Sequence, residues 1–184
     1  AGELSSKTRM RRAYKGVVRD GEKLLKSAPA APNRYRVLDI VFQSQKRLLA
    51  QDNSDENREA LLETCATLAG APDEVADLRL EADLLLLERE LSTKNADMKG
   101  RAEALQELIA RYRDTPGEAK SLMLASQIAP KLEAFDLEMK ILRTMQERFS
   151  DHHGVIEFRR KSLAVGRIEA SFRGAFTRAD GTSL

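Results

Sequence analysis

Apolar residues recur every three to four positions along most of this chain, and each run ends on a proline, a glycine or a polar cluster, the pattern of successive amphipathic helices. Residues 6–27 place Met10, Tyr14, Val17, Leu24 and Leu25 on one side and basic residues on the other, with Gly16 and Gly21 weakening the helix. Pro29 and Pro32 interrupt the chain, and Asn33 is placed to cap a second helix over 34–50 with Leu38, Val41, Phe42 and Leu49 inward. The stretch QDNSDEN supplies a cap and first-turn carboxylates for a third helix, which stops at Gly70 before Pro72.

The fourth helix, over 73–92, carries two apolar stripes. Val75, Leu78, Ala82 and Leu85 form one, and Leu80, Leu84, Leu87 and Leu91 the other. Such a helix must be packed from two sides, so it is expected to be central and the most buried. A fifth helix follows with Ala102, Leu105, Ile109 and Tyr112 inward, and Thr115, Pro116 and Glu118 predict a capping box opening a sixth. Pro130 should end or kink that helix near 126–129. A seventh (about 137–149) presents Leu142, Met145 and Phe149, and an eighth (about 154–164) presents Val155, Phe158 and Leu163.

Laying the fifth helix on the seventh exposes a weak repeat. Leu105 meets Leu142, Leu108 meets Met145, Arg111 meets Arg148, Tyr112 meets Phe149 and Asp114 meets Asp151. A recurring helical pair is the mark of an α-solenoid, so the expected fold is all-α, built of stacked antiparallel helical hairpins in a tetratricopeptide-like superhelix. The consensus Trp and Gly-x-x-Tyr of true tetratricopeptide repeats are missing. After Gly166 the period changes from 3.6 to alternation through Ile168, Ala170 and Phe172, and Asp180-Gly181 is a hairpin turn signal, which predicts a short C-terminal β stub.

Composition agrees with helices: 42% of the 184 residues are hydrophobic, glycine and proline are scarce, and there is no Trp. An all-β or nucleotide-binding α/β fold is disfavoured. The net charge of +2 conceals a gradient, because residues 1–26 hold eight basic residues against three acidic and 51–91 hold twelve acidic against three basic. A basic first helix suits nucleic acid or an anionic membrane, but only Tyr14 interleaves with it, so the expectation is a solvated face and no nucleic acid. No run of apolar residues is long enough for a membrane span. The opening AGELSSKTRM lacks an initiator Met and the character of a signal peptide, as expected of a chain whose leading segment has been removed.

Little in the sequence points to catalysis. Cys65 is the one cysteine, which excludes an intramolecular disulfide, and with Leu61 and Leu68 on its helical face it reads as a buried core thiol. His152 and His153 sit side by side in a turn with no third ligand nearby, so they read as loop residues beside Asp151. The carboxylates of ADLRLEAD and LLLLEREL, interleaved with Arg79 and Arg89, read as a solvated, ion-paired helix face. There is no phosphate loop and no Gly-x-Ser-x-Gly. The chain by itself is expected to be no enzyme, with no catalytic, cofactor-binding or metal residues.

The segment KSLAVGRIEASFRGAFTRADGTSL resembles the opening of the C-terminal domain of TlpA-like/redoxin thiol-disulfide oxidoreductases, on the positions Gly166, Phe172, Gly174, Asp180 and Gly181. Large bacterial members of that group, well represented among planctomycetes, are similar over the whole chain in having a long helical N-terminal region before the redox domain. The resemblance implies a helical repeat-like domain over 1–164 and the start of a thioredoxin-like domain over 165–184. It also implies a cell-envelope location, and a role in protein–protein interaction or in positioning the redox domain. The family's Cys-x-x-Cys motif is absent here, so none of its catalytic residues carries over. Expected partners are a protein or the parent's own redox domain, with a dimer through the C-terminal strand a further expectation. The alternative is a free-standing tetratricopeptide-like adaptor gripping a peptide or a partner helix.

Overall fold

The computed structural model describes residues 2–93 and 97–161, and every regular element among them is helical. The expected β stub, the strand-mediated dimer and the domain boundary at 164/165 all lie outside the described residues. The elements are α1 (Gly2–Ser27), α2 (Arg34–Gln51), α3 (Asp55–Ala69), α4 (Ala76–Thr93), α5 (Met98–Tyr112), α6 (Glu118–Ile128) and α7 (Phe135–Arg148), followed by α8 over 153–161. Short 3-10 turns cover Asp73–Val75 and Ala129–Leu132. The chain divides into two compact units, Ala1–Gly117 and Glu118–Leu184.

In the first unit helices pack in chain order, α1 on α2, α2 on α3, α3 on α4 and α4 on α5. Cross-helix contacts show that α1 and α2 run antiparallel. Gly21 meets Val41, the Arg47 guanidinium donates to the Tyr14 hydroxyl at 2.9 Å, and Arg11 pairs with Asp52, so late α1 faces early α2 and early α1 faces the end of α2. The core between α2, α3 and α4 is Leu38, Phe42, Leu61, Cys65, Leu68 and Ala82, flanked by Leu49, Leu78, Leu85 and Leu86. Large-to-small changes at positions such as Phe42 cost about 3–5 kcal/mol.

Local signals largely do what their chemistry requires. Ser54 caps α3 by accepting from the Asn57 amide, and α3 ends at Gly70. Asn33 precedes α2 but makes no side-chain cap bond; its carbonyl instead accepts from the Val37 amide at 3.1 Å. Thr115 turns its hydroxyl back to the Tyr112 carbonyl at 2.7 Å, and regular α6 begins only at Glu118. Pro130 acts as expected: α6 ends at Ile128 and continues as the 3-10 turn.

The two-stripe helix is packed from both sides, since Ala82 joins the core with α2 and α3 while α5 lies against α4. Leu80 is fully buried, but Leu84, Leu85 and Leu87 are only half-buried. Among the described residues α4 is therefore not the most buried helix; α2 buries six residues, Phe42 completely.

In the second unit α6 packs on α7, and α6 buries a face of small residues, Ala119, Ser121, Ala125 and Ser126, beside Leu122. Both serines satisfy their hydroxyls on their own helix, at the Glu118 and Met123 carbonyls. The buried side of α7 is Ile141 and Met145, while Leu142, expected inward, is exposed together with Phe135 and Met139. Met145 is therefore inward as expected, while Ile141 takes the buried place expected of Leu142.

Gly21 is no defect in α1. A Cβ there would stand 2.4 Å from Val41 Cγ2, whereas a Cβ at Gly16 would meet nothing within 4 Å. The same substitution in one helix should therefore have opposite signs. Gly16→Ala is expected to stabilise the protein by about 0.5–1 kcal/mol through helix propensity. Gly21→Ala is expected to destabilise it by about 1–3 kcal/mol through overpacking. Urea unfolding of both variants checks this.

Candidate functional site

Two features of the first unit combine apolar surface with organised charge. The first is a groove of about 580 Å³ at the α2–α3–α4 face. Its floor is Leu49, Leu61, Leu62 and Leu85, and its rim is Asp55, Arg58, Glu59, Glu88, Arg89 and Ser92. Leu62 and Leu85 lie one helical turn from the core residues Cys65 and Ala82, so they border the core without being covered by it, and Leu61 belongs to the core. Leu61 itself is buried; the other three are half-buried. On the rim Arg58 is held in place by Asp55 at 3.1 Å and by the Asn53 side-chain carbonyl at 2.8 Å, and Ser92 donates to the Glu88 carbonyl at 2.8 Å. The volume falls within the range of ligand and peptide pockets, and the apolar floor inside a charged rim suits an apolar side-chain cluster.

The second feature is a buried carboxylate. Asp83 on α4, read from its neighbours as part of a solvated face, has a side chain only 1% exposed. Its Oδ2 accepts from the Tyr112 hydroxyl at 2.8 Å and pairs with the Arg111 guanidinium at 3.1 Å, while its Oδ1 is buried without a hydrogen-bond partner. Tyr112 is fully buried on α5. Arg79 lies over its ring at 5.0 Å and reaches the Ala71 carbonyl at 2.7 Å and Asp73 at 2.8 Å, tying the α3–α4 connection to the same point. Burial, and then the bond to Asp83, push the Tyr112 phenol above its ordinary range. The chain also passes tightly over the ring, since a Cβ on Gly117 would stand 3.0 Å from Tyr112 Cδ1 and 3.2 Å from Ala76 Cβ.

The second unit holds a counterpart. Glu118 at the start of α6, its side chain 5% exposed, pairs with Arg148 at the end of α7, and Arg148 lies over Phe149. That pair also shows α6 and α7 to be antiparallel. Arg111 and Arg148 are equivalent in the weak sequence repeat, and each closes on a buried carboxylate of the preceding helix. The sequence aligned the arginines, but it pointed to Asp83 only as part of a solvated face and to Glu118 only as a capping residue.

Cys65 is fully buried in the core as expected. Burial, and secondarily the charge of Asp83, push its thiol up to about 11. A thiol so disposed is a poor nucleophile at neutral pH. His152 and His153 are exposed, with the His152 ring edge-on to Phe149. Among the described residues no cluster of three or more His, Cys, Asp or Glu is arranged to hold a metal, and no helix is long and apolar enough to cross a membrane. No family model, curated protein or solved structure matches the chain.

Tyr112→Phe removes the hydroxyl donor from a carboxylate whose other oxygen already lacks one. It is expected to cost about 1–3 kcal/mol, measured by denaturant unfolding. Cys65 provides a pH test. The fold binds its proton more tightly than the unfolded chain, whose thiol has an ordinary value near 9.0. Stability linked to that proton is complete below pH 9 and is lost as pH rises towards 11. The stability difference between the parent and Cys65→Ala should therefore narrow across that interval and stay constant between pH 6 and 8.

Proposed function

We propose that this chain is a non-catalytic helical interaction domain, of the kind that precedes the redox domain in thioredoxin-family thiol-disulfide oxidoreductases, and that the α2–α3–α4 groove receives an apolar-faced segment of its partner. The observation that carries the interaction role is the groove itself, about 580 Å³ with an apolar floor inside a charged rim. The partner is a protein or the parent's own redox domain. The redoxin connection is supported by the residues Gly166, Phe172, Gly174, Asp180 and Gly181. The buried, proton-holding state of Cys65, the one cysteine in the chain, accords with a domain that leaves thiol exchange to another.

A second reading, a free-standing tetratricopeptide-like adaptor, is favoured by one observation. The α4–α5 and α6–α7 pairs each close with an arginine on a buried carboxylate at repeat-equivalent positions. In this reading successive hairpins form a superhelix and the groove holds a peptide or a foreign helix.

The coding sequence after Leu184 separates the two: a Trp-Cys-x-x-Cys shortly downstream is expected, and a stop codon overturns the redoxin reading in favour of the adaptor. The groove is tested by affinity. Leu62→Asp, at a half-buried floor position, should weaken binding of the redox domain, or of the protein that co-purifies, by about tenfold or more, while Lys140→Glu on exposed α7 should not. Unchanged binding by Leu62→Asp with its helical circular dichroism intact contradicts the groove assignment. Insulin reduction above background by the purified chain contradicts the non-catalytic one.

A further inference from the structure

The outer face of the first hairpin carries a second surface, independent of the groove. Met10, Val17 and Leu24 are seven residues apart on α1 and are 44%, 39% and 58% exposed. At about 1.5 Å per residue and 3.6 residues per turn they form one straight stripe about 21 Å long. The stripe borders the side of α1 that packs on α2, where Gly21 is buried and Tyr14 and Leu25 are half-buried. It faces away from α3, because Lys15, Val18 and Glu22, which line a cavity with α3 residues, lie on the other flank. Ile40 of α2 is also exposed, at 49%.

Around the rest of α1 run Lys7, Arg9, Arg12, Lys15, Lys23 and Lys26, all exposed, and none of them is in an ion pair among the described residues. Asp20 is the acidic residue on the stripe's outer flank, and it pairs with Arg19 at 3.0 Å. Helical geometry places Arg9, Arg12 and Lys23 on that same flank, beyond the apolar stripe. A helix buried on one side, apolar along its edge and cationic beyond it can lie in a lipid interface, its stripe among the acyl chains and its cations among phosphates.

We propose that α1 docks this face on an anionic lipid surface. Charge complementarity selects the lipid, since Arg9, Arg12 and Lys23, three cations with no ion-pair partner among the described residues, lie on the flank beside the stripe and would meet a field of phosphates. The stripe also argues against a helical protein partner. In a two-helix seam the positions three residues on from Met10, Val17 and Leu24 would all be apolar, and here two of the three are polar, Asp20 and Ser27, with the small Ala13 at the other. Nucleic acid would call for aromatic platforms, yet Tyr14, the aromatic residue of α1, has its hydroxyl engaged by Arg47 at 2.9 Å.

The test is sedimentation of the 184-residue chain with phosphatidylcholine vesicles and with equimolar phosphatidylcholine–phosphatidylglycerol vesicles. Binding is expected to the anionic vesicles alone and to be reversed by molar salt. Each cation removed should lower partitioning about fivefold, so the double variant Arg12→Gln/Lys23→Gln should lose more than about tenfold. Val17→Ser/Leu24→Ser should lose a comparable factor with unchanged circular dichroism. The proposal is overturned by absence of binding, by equal binding to both vesicles, or by full binding of the serine variant, which would leave charge attraction with no docked stripe. Capture of duplex DNA at a salt concentration that already releases the vesicles would overturn it in favour of nucleic acid. Leu62→Asp should leave vesicle binding unaltered, so failure here and failure of the groove assignment are distinguishable.

Discussion

A carboxylate buried as completely as Asp83 must be met by donors, because an unpaired charge or polar group in a dry interior costs more than most single contacts return. Here the donors come from the far end of the next helix, Tyr112 and Arg111. That requirement fixes α5 against α4. The ring of Tyr112 then becomes a surface on which other parts are built: Arg79 lies on one part of it, and the chain at Gly117 passes close enough to exclude a Cβ. Arg79 in turn anchors the connection from α3 through the Ala71 carbonyl. One oxygen of Asp83 has no partner, so the loss of Tyr112 or Arg111 would leave the carboxylate worse served than most buried acids.

The same solution recurs where α6 meets α7, with Glu118 as the acid and Arg148 as the base. Between these clamps the packing differs. The core of α2, α3 and α4 is made of leucines, a phenylalanine and a thiol, whereas α6 buries alanines and serines that allow a close approach. The large-residue core is the one bordered by a groove, because bulky leucines at its margin leave a floor that neighbouring side chains do not cover.

Much of this was legible from spacing. Helix starts and stops follow local chemistry, as at Ser54, Gly70 and Pro130, and a cysteine between leucines at helical spacing has few places to be other than the core. What escaped were features decided by residues distant in sequence. Asp83 looks like any other carboxylate of an acidic helix until Tyr112 is known to face it. Glu118 was read for its place in a cap, and its burial against Arg148 depends on a helix thirty residues on. Gly21 looked like a weakness because sequence reports the helix propensity of glycine and not the approach of Val41. On α7 Met145 is inward as its spacing indicates, but the repeat favoured Leu142 where packing on α6 buries Ile141 instead. The stripe on α1 was visible as apolar spacing but was assigned inward, since only the structure shows that one hairpin partner cannot cover so wide an apolar face.

If Asp83 is the point on which α4 and α5 are fixed, its bond to Tyr112 must carry energy of its own beyond what each residue contributes separately. A double-mutant cycle with Asp83→Asn and Tyr112→Phe, followed by urea unfolding at neutral pH, isolates that energy. The two changes are expected to be strongly non-additive, with a coupling of about 1 kcal/mol or more. Simple additivity of the two losses would show that the clamp is a by-product of the packing and not its cause.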